Sequence, residues 1–372
     1  MDTLKATKSK SHYEILDGLR GVAALTVVAF HILEAFATSH DDQLINHGYL
    51  AVDFFFLLSG FVIGYAYDDR WSTMSFSDFF KRRLERLQPM VVMGMTIGAA
   101  CFYFQASALW PVIHSVPVWK IALVMVAGWV MLPLPPSQDI RGWNEMYPLN
   151  GPGWSLFFEY LVNICYGLFV RRFSNRVLSA LVFLAGCMLV HFVLTNSHGD
   201  VIGGWSLESG QLYTGFVRVL YPFFAGLLLF RISKLGVIKN AFFWCSLLLL
   251  IVLGMPRIGD SSHPWMNGLY DAGSILVLFP AIVWMGASGE LKEGTARRLC
   301  TFLGAISYPI YITHYPIIYI YTAWVIDHKV PLKEGWAWGL VVFIASMAVA
   351  YACLKWYDVP VRTWLKKTTK MK

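Results

Sequence analysis

Long apolar runs broken by short polar segments set the pattern of this chain. Runs near the length a bilayer crossing needs, about 20 residues, cover approximately 15–36, 49–67, 87–107, 154–170, 177–195, 213–231, 240–255, 269–287, 302–326 and 336–356. An eleventh run, 119–134, is shorter and ends in a Pro-rich stretch, Leu132 to Pro136. The pattern predicts an all-α polytopic membrane protein with about ten transmembrane helices.

Basic residues decide what 119–134 does. Lys5, Lys8 and Lys10, the group Lys81 to Arg86, Arg171 to Arg176, Arg231 to Lys239, Lys292 to Arg298 and the tail from Lys355 fall in alternate loops. Loops 37–48 and 196–212 hold no Lys or Arg, and 256–268 and 327–335 hold only Arg257, Lys329 and Lys333. Positively charged loops stay cytoplasmic, so the alternation closes only if 119–134 is re-entrant or surface-lying. The expectation is ten spans in a single integral-membrane domain over 1–372, multi-pass in the cytoplasmic (inner) membrane. Both termini are then cytoplasmic, with an N-terminal segment 1–14, a basic tail 357–372 and no fused soluble domain.

Composition agrees and excludes other classes. The chain is 57% hydrophobic and 14% charged, against about 25% charged in soluble domains. Its net charge of +7 is spread over short loops, which suits anionic lipid head groups and argues against a nucleic-acid partner. Six cysteines lie singly, no Cys/His metal spacing occurs, and no metal is expected.

Polar residues inside the apolar runs carry the chemistry, because ionisable groups in hydrocarbon are costly and rarely idle. The first run contains Asp17, Arg20, His31 and Glu34. Arg20 and His31 are eleven positions apart, about 16 Å and close to three helical turns, so both project from one face. With the topology above, His31, Asp53, Ser155, Glu159 and His314 come to similar depths in the outer half or middle of four spans. Arg82, Arg83 and Arg86 sit at the inner edge of span three, where guanidinium groups suit a phosphorylated cytosolic ligand. Glu34, near the outer end of its span, reads as an interfacial charge; Arg218 and Asp271 are further candidates for the chemistry, with an interfacial place near span ends as the alternative.

Several ordered blocks carry a family resemblance: Leu16 to His31 (LDGLRGVAALTVVAFH), Ala51 to Ile63 (AVDFFFLLSGFVI), Arg82 to Pro89 (RRLERLQP), Trp154 to Glu159 (WSLFFE) and Ser307 to Pro316 (SYPIYITHYP). In these the chain resembles membrane acyltransferase family 3, integral-membrane enzymes that O-acylate cell-surface glycans. The family's closing Glu-x-Pro appears here as Asp358-Val359-Pro360, a mild departure.

The resemblance implies an acyl-CoA donor, usually acetyl-CoA, bound from the cytoplasm, and a glycan or lipid-linked glycan acceptor reached from the other side. On that reading Arg82, Arg83 and Arg86 hold the CoA phosphates and Arg20 lies deeper in the donor path. His31 is the general base, oriented by Asp53 or Glu159, with Ser155 beside it, and an acyl-imidazole intermediate stays open. Asp17, Trp154, Tyr308 and His314 are acceptor-side or supporting residues. Three other readings compete: acylation of an antibiotic, a lipid or peptidoglycan; a proton-coupled transporter using His31, Asp53 and Glu159; and a non-catalytic partner of a polysaccharide assembly.

Overall fold

The computed structural model describes residues 12–39, 41–260 and 262–370, with side chains as far as Thr368. Residues 1–11 of the expected cytoplasmic segment lie outside the described residues. The helices are α1 (Glu14–Glu34), α2 (Ala51–Tyr67), α3 (Phe76–Cys101), α4 (Val118–Trp129), α5 (Gly153–Leu168), α6 (Asn175–Thr195), α7 (Ser209–Ile232), α8 (Ala241–Gly254), α9 (Trp265–Gly273), α10 (Phe279–Ala287), α11 (Thr295–Asp327), α12 (Leu332–Cys353) and α13 (Val359–Lys370). Single π-turns, Ser274–Leu278 and Leu354–Asp358, join α9 to α10 and α12 to α13.

All ten expected stretches are helical, and seven helical segments among the described residues are long and apolar enough to cross a membrane. The other three are α5, α8 and α11. With 16 and 14 residues, α5 and α8 measure about 24 and 21 Å at 1.5 Å per residue, against a hydrocarbon core of ~30 Å. Helix α11 has 33 residues, interrupted by Pro309, Pro316 and several tyrosines that dilute its hydropathy.

Boundaries move at two functional places. Helix α3 begins at Phe76, well before the expected span, because Ser75 and Asp78 form a reciprocal capping box. Its arginines therefore lie on a rigid helix. The expected tail is helical as far as Lys370.

The two sets of loops meet at opposite ends of the bundle. At the basic end Arg297 pairs with Glu14 at 2.8 Å, Arg231 with Asp68 at 2.6 Å, and Arg171 lies over the Trp71 ring at 4.0 Å. At the far end Arg257 bridges Asp41 (2.8 Å) and Asp200 (3.4 Å), and Asn144 reaches Glu208 at 3.1 Å. Helix α4 enters and leaves at this far end. It starts where Tyr103 donates to the Val116 carbonyl (2.6 Å) and descends until Gln88 donates to the Trp129 carbonyl. The chain then turns back through Tyr147 to Met131 O (2.8 Å) and Leu134 N to Met146 O (3.0 Å). Twelve residues reach only about 18 Å, so α4 dips part way and its partner strand of coil returns.

Helices approach one another through glycines, as they must where lipid removes the hydrophobic drive for association. Gly226 of α7 lies against the Leu57 carbonyl of α2, and Gly60 of α2 against the Phe223 carbonyl of α7. Gly21 and Gly304 give α1 and α11 the same close seam. Overpacking costs typically 1–3 kcal/mol. Gly226→Leu should therefore lower the melting temperature in detergent sharply, whereas Gly254→Ala, which meets no neighbouring atom, should leave it unchanged.

Candidate functional site

His31 sits one turn before the end of α1, its side chain 18% exposed. Nδ1 faces Glu34 Oε2 at 2.8 Å across an i, i+3 pair. A carboxylate only accepts, so Nδ1 carries the proton and the lone pair is at Nε2. Among the described residues Nε2 makes no hydrogen bond. The ring stacks on His314 at 5.7 Å and meets the edge of Tyr315 at 4.5 Å. His314 is buried, its Nδ1 is 2.8 Å from the Ile310 carbonyl, and its Nε2 lacks a partner. By the same reasoning both imidazoles present an open lone pair. Helix α11 thus brings a second imidazole beside the first because the close glycine seam fixes its register against α1.

The carboxylates expected to orient His31 have other partners. Asp53 takes both Arg218 Nη2 at 2.7 Å and Nε at 3.3 Å, fully buried, while the same guanidinium donates to the Tyr49 carbonyl at 2.7 Å. Glu159 accepts from Arg83 at 2.6 Å and from the Ser59 hydroxyl at 2.8 Å. The carboxylate that does face the ring is Glu34, at the end of α1 and 36% exposed. Of the two further candidates, Arg218 and Asp271, both are enclosed by the bundle. They are 2% and 0% exposed, and Asp271 accepts from Tyr49 and from Val201 N. Trp154 packs 5.0 Å from the Arg218 guanidinium and so supports that pair.

The expected arginine trio divides. Arg82 and Arg86 line a vestibule of about 1010 Å³ at the basic end, with Arg20, Lys81, Tyr65 and Tyr67. Arg83, one position on, is turned by about 100° around the helix axis and is buried on Glu159. Arg20 holds Asp17 at 3.1 Å, and Asp17 holds His12 at 3.0 Å. That hydrogen bond raises the His12 pKa from its ordinary value, adding positive character to the vestibule wall.

A narrower inner cleft continues from the vestibule and shares Arg20, Val62 and Arg86 with it. Arg83, Glu159, Ser155, Tyr308 and Tyr311 line the cleft. Tyr308 is fixed by donating to the Leu87 carbonyl at 2.7 Å, and Tyr311 by Ser155 at 2.7 Å. The Tyr311 ring lies 6.2 Å from that of His314. The sequence of contacts runs from arginines through Ser155 and Tyr311 to the two histidines. Sequence reasoning missed Glu34, Tyr311 and Tyr315. The available signal was Glu34 standing three residues after His31. Among the described residues no three or more His, Cys, Asp or Glu side chains gather as a metal site.

Comparison with known proteins bears on this arrangement. A family model described as "Acyltransferase domain" matches residues 13–355. "O-acetyltransferase OatA" of Staphylococcus aureus (strain NCTC 8325 / PS 47) is 23% identical over 362 residues, 93% of this chain and 57% of that protein. "Protein 2 in picA locus" of Rhizobium radiobacter is 35% identical over 169 residues, 44% of this chain and 84% of that protein. The chain therefore spans little more than half the length of the staphylococcal relative. No solved structure matches.

The buried ion pair of Asp53 with Arg218 and the hydrogen bond of Glu34 to His31 differ in what their loss should do. Arg218→Met leaves Asp53 buried without a counter-charge, an expected loss of about 3–5 kcal/mol, with part recovered in Asp53→Asn/Arg218→Met. Glu34→Gln breaks a partly exposed pair and should cost below about 1 kcal/mol. Thermal unfolding of the purified variants reads both.

Proposed function

Because the chain belongs to the acyltransferase family defined by that domain model, we propose that it is a membrane O-acyltransferase. It moves an acyl group, acetyl in the leading case, from cytosolic acyl-CoA to a sugar hydroxyl of a surface polysaccharide or its lipid-linked precursor. On this reading the bundle has ten spans with both termini and the basic end cytoplasmic, in the inner membrane. One observation carries the proposal: the basic vestibule and the inner cleft share Arg20 and Arg86, so a long phosphorylated donor can lie in one and extend its thioester into the other.

The vestibule volume, about 1010 Å³, is at the upper end of small-molecule sites, ~300–1,000 Å³. Arg82, Arg86 and Lys81 meet the phosphates, and guanidinium groups grip them bidentately. Arg20 flanks the entrance to the cleft. Arg83 contributes indirectly, by holding Glu159 in the cleft wall.

His31 Nε2 takes the proton of the acceptor hydroxyl as its oxygen attacks the thioester carbonyl carbon. The carbon–oxygen bond forms, the carbon–sulfur bond breaks, and the leaving thiolate recovers the proton from the imidazolium. Glu34 stabilises that imidazolium through Nδ1–H, as a buried carboxylate does in a hydrolytic triad. The open Nε2 of His314 accepts a hydrogen bond from a neighbouring hydroxyl of the same sugar and so orients the attacking one. General base catalysis is worth ~10²–10⁴-fold.

The test is thiol release from acetyl-CoA by purified protein with a lipid-linked glycan fraction as acceptor. His31→Ala should lose about 10²–10⁴-fold in kcat, and Arg82→Ala/Arg86→Ala should raise KM for the donor with little change in kcat. Near-normal transfer by His31→Ala would overturn the assignment of the base.

A further inference from the structure

Helix α13 lies beyond the region matched by the family model, which ends at residue 355. It nevertheless walls the vestibule, where Arg362 and Lys366 line the same cavity as Lys81, Arg82 and Arg86 of α3. Positions i and i+4 of a helix share a face, so the two cations act side by side. Arg362 is pre-set: its Nη2 is 2.8 Å from Asp358 Oδ2, and Asp358 is only 2% exposed. The guanidinium side chain keeps 32% of its surface open, enough to meet an anion with its remaining N–H groups. Of the four acidic lining residues, Glu14, Asp17, Asp78 and Glu85, the first three are engaged by Arg297, His12 with Arg20, and Ser75.

The cations fall into a deep set and a rim set. Arg20 and Arg86 border the inner cleft as well as the vestibule, whereas Lys81, Arg82, Arg362 and Lys366 line the vestibule alone. Coenzyme A carries phosphate at two separated places. Its pyrophosphate lies between the pantetheine arm and the nucleoside, and a monophosphate sits on the ribose, further from the thioester. A thioester directed into the cleft leaves the pyrophosphate by the deep arginines and the ribose phosphate at the rim.

We propose that Arg362 and Lys366 of α13 form the site for the ribose 3′-phosphate of the donor, so that the C-terminal helix selects coenzyme A over its dephosphorylated form. This rests on the acyl-CoA reading above. Asp358 positions Arg362 for the contact.

Binding of CoA and of 3′-dephospho-CoA to the detergent-purified full chain, measured by titration calorimetry, tests it without knowledge of the acceptor. The expected result is that wild type binds CoA about 10–100-fold more tightly than dephospho-CoA, the scale of charge-assisted hydrogen bonds. Arg362→Gln/Lys366→Gln should bring CoA down to the dephospho-CoA value and leave dephospho-CoA unchanged, while Arg82→Gln/Arg86→Gln weakens both. Lys366→Gln alone, at an exposed position, should remove part of the discrimination with an unaltered melting temperature. Equal binding of the two ligands by wild type, or equal weakening of both in the α13 variant, would overturn the α13 site and leave the acyl-CoA reading standing. Binding of neither ligand by folded wild type would overturn both.

Discussion

An ionised side chain in a low-dielectric interior must be paired, and this constraint places the two ion pairs that tie the central helices together. Asp53 with Arg218 ties α2 to α7, and Arg83 with Glu159 ties α3 to α5. Those pairs are short, buried and supplied with further hydrogen bonds, which is what keeps buried ions tolerable. They use up the charges that would otherwise compete for a substrate. The lone pairs of His31 and His314, and the cations that face the vestibule, remain open to one.

Much of the architecture was legible in the pattern of apolar runs, since helix position follows from run length and loop charge. The alternation of basic loops anticipated which loops gather at each end, and the eleventh run forms a helix of only 12 residues. Depth along a helix could be read in the same way. Direction around the helix could not. Asp53 and His31 face different neighbours, and Arg82 and Arg83 are adjacent in sequence yet one lines the vestibule and the other the inner cleft. Each pairing across the bundle depends on the rotation of two helices, which a single chain's periodicity leaves open.

Boundaries were misjudged where local chemistry outweighs hydropathy. The capping box at Ser75 and Asp78 starts α3 in polar sequence, and the π-turn at Leu354–Asp358 lets α12 run on into a basic helix. Both extensions carry cations into the same chamber. A hydropathy window sees neither, because the residues concerned are polar and their helicity comes from caps and packing.

His31 and Glu34 occupy one turn of one helix. The hydrogen bond between them belongs to α1 alone, whereas the vestibule is assembled from α1, α2, α3, α11 and α13. A tilt of one helix against its neighbours would therefore resize the vestibule while that hydrogen bond moves with α1 as a unit. Bilayer thickness, through helix tilt, acts first on the shape of the chamber.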